Sequence, residues 1–152
     1  MTAAGAGWRW RTDLLVAVVL LPRVSRRLRA TGYRSTRRWL DERLPGAPEP
    51  LDEPADPAAS VELARALALV VRLAARLTSD ATCLRTSLVL RHLLRRHSLP
   101  STIRLGVRRG SNGGPLSFHA WVEVADVVVS ESGADLAGYE VFADDISFDV
   151  PL

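Results

Sequence analysis

A thiol and an imidazole can together cut or transfer an acyl group, the first as nucleophile and the second as its base. The chain has one cysteine, Cys83, and three histidines, His92, His97 and His119. Cys83 opens the run Cys83-Leu84-Arg85-Thr86-Ser87-Leu88, which has helical character. A thiol at a helix start meets the positive end of the macrodipole and free N–H groups, which favour the thiolate and can donate to an oxyanion. The common fate of a free cysteine is a small buried hydrophobe, so the helix alone does not assign a role.

His119, thirty-six residues after Cys83, lies in Phe118-His119-Ala120-Trp121-Val122-Glu123, which alternates like a strand. Leu116, Phe118, Ala120, Val122 and Val124 share one face; Ser117, His119, Trp121 and Glu123 share the other. His119 therefore lies off the apolar face. His92 and His97 fall on or beside the Arg-rich side of the Cys83 helix and read as solvated, and their spacing suits no shared metal. An acid usually orients such a base, and the options are Glu123, Asp126, Glu131 and Asp135. Glu123 is on the right face but about 13 Å along the same strand. Register decides Glu131. A two-residue turn at Ala125-Asp126 sends it to the opposite face, whereas a three-residue turn or bulge sets it against His119.

Positioning these residues requires a helix and a sheet. Residues 12–31 read as a helix capped by Thr12 or Asp13, with Pro22 as a kink or second start and Gly32 as the stop. Ser35 to Leu44 reads as a short helix anchored by Trp39 and Leu40. Residues 45–59 carry five prolines among acids and read as a linker. A largely buried helix capped by Ser60 follows to about Leu77, and the Cys83 helix spans Thr82 to His97. Its inward arc holds Cys83, Thr86, Ser87, Val89, Leu90, Leu93 and Leu94, opposite Arg85, Arg91, His92, Arg95 and Arg96. The period then changes to two. Ile103, Leu105 and Val107 mark one strand, residues 109–115 a turn, Leu116 to Val124 a second strand and Val127 to Glu131 a third. Tyr139 to Phe142 can add a fourth. Helices followed by an antiparallel sheet give an α+β fold.

Ten of the 20 basic residues, all Arg, lie in residues 1–44 against three acids; residues 45–152 hold ten Arg against fourteen acids. The expected organisation is a basic helical region over 1–44, a Pro-rich acidic linker over 45–59 and a catalytic domain over 60–152. The basic region suggests an anionic or protein partner. The apolar run Leu14 to Leu21 falls short of the about 20 residues of a membrane span, and a buried helix is favoured over membrane-surface contact. One cysteine excludes an internal disulfide and a multi-cysteine zinc site and fits a cytoplasmic location.

Cys-Leu-x-x-Ser-Leu at 83–88, Leu93-Leu94-Arg95-Arg96, Leu105-Gly106-Val107-Arg108 and His119-Ala120-Trp121-Val122-Glu123-Val124 occur in this order. Together they resemble the transglutaminase-like cysteine protease of lasso-peptide biosynthesis, over about residues 60–135. The basic helical region is similar to that family's small N-terminal region. The resemblance implies a papain-like Cys-His-acid peptidase that removes the leader from a ribosomal precursor before a cyclase closes the ring. It implies a separate small recognition protein that presents the leader, and no metal or organic cofactor. Carried over by position, Cys83 is the nucleophile, His119 the base and Glu131 the acid, where Asp is usual. The chain departs from the pattern at Thr86, where Arg is frequent, at Phe118, where a small residue is usual, and in its Gly-rich loop at 110–115. An acyltransferase or transglutaminase on the same scaffold, and a non-catalytic peptide-binding module, are the competing readings. Nucleic-acid binding through the Arg-rich region is disfavoured, because no helix-turn-helix pattern accompanies it.

Overall fold

The computed structural model describes residues 3–43, 56–78, 82–110, 114–131 and 133–143. Three helices, α1 (Ala3–Glu42), α2 (Pro57–Thr78) and α3 (Cys83–Arg96), precede strands β1 (Thr102–Arg109), β2 (Leu116–Val124), β3 (Val127–Val128) and β4 (Glu140–Ala143). The sheet is antiparallel with order β3-β2-β1-β4. The layout is the expected α+β fold.

Helix α1 begins well before Thr12 and runs through Pro22; its break is at Gly32, whose φ of 75° is a left-handed conformation that favours glycine. Asp13, Ala17, Leu20, Leu21, Val24 and Leu28 are buried at helical spacing. Asp13 is thus an inward residue rather than a cap. Of the apolar run, Ala17, Leu20 and Leu21 are buried, while Leu15 and Val19 are exposed. No helix among the described residues is long and apolar enough to cross a membrane. Past Gly32, Tyr33, Thr36 and Leu40 are buried. Trp39 is half-buried, with the guanidinium groups of Arg27 and Arg43 at 5.1 and 4.3 Å from its ring centre. Burial of the Tyr33 phenol raises its pKa above the ordinary value, against the opposing field of Arg37.

Helix α2 starts four residues earlier than the Ser60 cap predicts. The Asp56 carboxylate accepts from the Ala59 N–H at 3.1 Å, and Pro57 takes the first helical position, where its missing N–H costs nothing. The end of the Pro-rich stretch is therefore helix; residues 44–55 lie outside the described residues. Nor is α2 largely buried: Ala64, Leu67, Ala68, Val71 and Ala74 face inward, whereas Leu63, Leu69, Leu73 and Leu77 are exposed. Packing on α1 and α3 covers only one side of it.

Helix α3 lies at the centre, against α1, α2 and the sheet. Its Arg-rich arc was expected to face solvent; instead α1 covers much of it. Arg91 and Arg95 both reach Asp41 of α1, at 2.7 and 2.9 Å. His92 is buried, and His97 is half-buried with its Nε2 2.9 Å from Asp13 Oδ2. Burial, then the Arg96 charge, hold the His92 pKa down at about 4, partly offset by the hydrogen bond that the ring donates to the Leu40 backbone carbonyl. A helical wheel finds which residues share an arc, but not which neighbour covers it. Residues from α1, α2, α3, β1 and β2 enter one continuous apolar core.

Candidate active site

Cys83 is the first residue of α3 and is half-buried. Thr82, before it, is extended and places no side-chain cap on the first turn. The Thr86 hydroxyl donates back to the Cys83 carbonyl at 2.9 Å, which ties that turn together. One turn on, the buried Ser87 hydroxyl donates to the Ala120 carbonyl at 3.1 Å. Ala120 follows His119, so the first turns of α3 sit at the stretch of β2 that carries the histidine.

The reason this edge is open lies in β3. Ala125 and Asp126 both have left-handed φ, 48° and 59°, and form a two-residue turn that pairs Val124 with Val127 and Glu123 with Val128. The Val129 N–H still donates to the Val122 carbonyl, at 3.0 Å. Then the ladder ends, because the Val122 N–H donates to the Ser130 side-chain oxygen, at 3.0 Å, in place of a backbone carbonyl. The third strand is therefore shorter than the expected Val127 to Glu131. Two hydroxyls, Ser130 and Ser87, satisfy groups of β2 that a longer strand would have met.

Leaving the ladder also settles the register question in an unexpected way. The turn has two residues, the geometry expected to send Glu131 to the wrong face. Strand parity no longer applies once the chain departs at Ser130, and Glu131 turns back to the imidazole. His119 Nε2–H donates to Glu131 Oε2 at 2.7 Å. In the neutral tautomer that makes this bond, the lone pair is on Nδ1. Among the other acids considered, Glu123 accepts from Trp121 Nε1 and Arg104 Nε, both at 2.9 Å. Asp126 is exposed in the turn, and Asp135 lies in the short 3-10 helix Gly133–Leu136.

Aromatic rings frame His119. The Trp121 ring is stacked at 6.4 Å between centres, and the Tyr139 ring is tilted at 5.3 Å. Tyr139 is fixed in turn by its hydroxyl, 2.9 Å from Ser117 Oγ, and by the Arg108 guanidinium 4.5 Å from its ring centre. Gly106 makes room for both rings: a Cβ there would lie 2.7 Å from Trp121 Cζ3 and 3.2 Å from Tyr139 Cβ. Tyr139 has no signal of its own in the sequence beyond its place in a weak strand pattern. Phe118, on the opposite face of β2, is 62 % exposed, because α3 covers only the second half of that face. Beside Thr86 and Glu131 opens a cleft of about 440 Å³ between α2, α3 and the segment after β3. Among the described residues no three His, Cys, Asp or Glu side chains cluster as a metal site.

A helix that starts on a cysteine and packs against an antiparallel sheet carrying a histidine defines a papain-like α+β protein. More particularly, the chain belongs to the Transglutaminase-like superfamily, whose family model matches residues 9–144. The superfamily includes cysteine peptidases and acyltransferases. No curated protein and no solved structure matches the chain.

Proposed function

We propose that the protein is a cysteine peptidase that removes the leader from a lasso-peptide precursor before macrocyclisation. The observation that carries the reading is the His119–Glu131 hydrogen bond of 2.7 Å at the strand edge where α3, with Cys83 at its head, is seated. In this reading Glu131 fixes the imidazole with Nδ1 free for the thiol proton. The Cys83 thiolate then attacks the scissile carbonyl carbon, and first-turn N–H groups of α3 receive the oxyanion. His119 returns the proton to the departing amine, leaving the leader as a thioester on Cys83. Water, deprotonated by His119, releases the leader as a carboxylate.

The ordered blocks around Cys83, Leu93, Leu105 and His119 support the lasso-peptide assignment. They also suggest a small recognition protein as partner, the cyclase as consumer of the product, and a cytoplasmic site of action. Arg34 and Arg38, exposed on α1, offer a basic surface for the recognition protein or the acidic part of a leader. Because α1 belongs to the common core, charge reversal there is a cleaner probe than deletion. Arg34→Glu with Arg38→Glu should weaken association with the recognition protein without unfolding the chain.

The test is incubation of the protein with precursor and recognition protein, read by mass spectrometry. Free leader and core should appear with the native chain and not with Cys83→Ala. Cleavage by Cys83→Ala would end the peptidase reading, and a leader joined to an amine would favour the acyltransferase.

A further inference from the structure

The cleft beside Glu131 has a floor unlike its rim. Ala68 and Val71 of α2 and Leu90 of α3 form the floor, and each side chain is otherwise sealed into the core. The rim is polar and carries both signs of charge, Arg72 against Glu131 and Asp135. The Arg72 guanidinium leans on the Ser130 carbonyl at 3.5 Å. Glu131 gives one carboxylate oxygen to His119, and Thr86 holds the Cys83 carbonyl. The cleft therefore shares walls with both sides of the candidate site.

We infer that this cleft is a specificity pocket that receives an uncharged aliphatic side chain of the peptide substrate, from a residue flanking the scissile bond. Its volume of about 440 Å³ falls at the low end of the roughly 300–1,000 Å³ of ligand pockets, enough for a side chain with its adjoining backbone. The aliphatic floor favours carbon. A charged side chain would lose its water there with no opposite charge at the bottom to replace it. The rim sets only Arg72 against Glu131 and Asp135, so it disfavours an acidic side chain, and a basic one would meet its counter-charge at the mouth and not at the floor. Thr86 matters through its size: a short side chain at this position, one turn from Cys83, leaves the mouth open.

The inference rests on the acyl-transfer reading of Cys83, but its test does not need turnover. Methyl NMR of the whole protein, titrated separately with N-acetyl-leucinamide, N-acetyl-aspartamide and N-acetyl-lysinamide, reports on Val71 and Leu90 directly. The leucine probe should shift both sets of methyls, and the aspartate and lysine probes should bind at least about tenfold more weakly, the scale on which an apolar pocket discriminates. Ala68→Phe should fill the floor and abolish the leucine-induced shifts. Arg72→Trp, on the exposed rim, covers the mouth and serves if Ala68→Phe does not fold. Absence of the shifts, equal response to the three probes, or unchanged response in a folded blocked variant would overturn the pocket. If the native chain shows these shifts but leaves every precursor intact, the peptidase reading fails and the pocket stands. If it cuts precursor through Cys83 while the methyls stay silent, the pocket fails and the peptidase reading stands.

Discussion

Among the described residues, two histidine–carboxylate pairs of nearly equal length lie in different settings. His119 and Glu131 meet at 2.7 Å with side chains 21 % and 25 % exposed, on a strand edge at the head of α3. His97 and Asp13 meet at 2.9 Å with side chains 13 % and 5 % exposed, at the tail of the same helix. The second pair joins α1 to the end of α3. The chain's one thiol, Cys83, lies at the opposite end of that helix. The first pair opens toward solvent, has a cleft beside it and lies at the end of α3 that bears the cysteine. A short imidazole–carboxylate contact is thus no signature of catalysis; what surrounds the other ring nitrogen decides its use.

Substitutions can separate the pairs. Cys83→Ala and His119→Ala should each lower precursor cleavage by at least about 10³-fold, whereas His97→Ala should leave kcat/KM within a few-fold for the folded fraction. A comparable loss in His97→Ala, with the fold intact by circular dichroism, would erase the distinction. Glu131→Gln should keep the geometry but lose about 10²–10⁴-fold in rate, because the amide cannot stabilise an imidazolium. Asp13→Ala should act on stability instead, lowering it by about 1–3 kcal/mol in urea titration by leaving a half-buried imidazole without its acceptor.

His92 sharpens the contrast as a histidine with neither role. Its pKa in the fold is about 4, against the ordinary 6.5, so between these values the unfolded chain binds a proton that the folded chain does not. Its contribution, about 3 kcal/mol, is fully present above the unfolded value and lost as pH falls from 6.5 toward 4. In His92→Gln, unfolding free energy should fall less steeply over that window. The smallest expected effect is at the β2–β3 turn, where Ala125 has a φ of 48°. Ala125→Gly should raise stability by up to about 1 kcal/mol, because glycine adopts that conformation without strain.

Periodicity made α3, β1 and β2 legible in the sequence, and with them the places of Cys83 and His119. Gly32 was legible as a helix stop for the same reason that it breaks α1, its left-handed φ. Asp13 could not be read as the partner of His97, since 84 residues separate them and each suits a different local role, cap and solvated base. The inward turn of His92 was hidden likewise, because the cover over the Arg-rich arc of α3 comes from α1. Glu131 was named by position in a family pattern, while strand parity argued against it for a two-residue turn. The missing physical fact was that a serine hydroxyl ends the ladder at Ser130. Side chains that replace backbone partners leave no periodic trace.

The central claim is that an acyl group passes through Cys83 under the control of the His119–Glu131 pair. It is tested most directly by acid-quenching the protein within the first turnovers on precursor and recognition protein and weighing the intact chain. The expected result is an added mass equal to the leader acyl group, mapped to Cys83, present in the native chain and in His97→Ala and absent in His119→Ala. Precursor cleavage without such an adduct in Cys83→Ala, or adduct formation that survives in His119→Ala and disappears in His97→Ala, would contradict it.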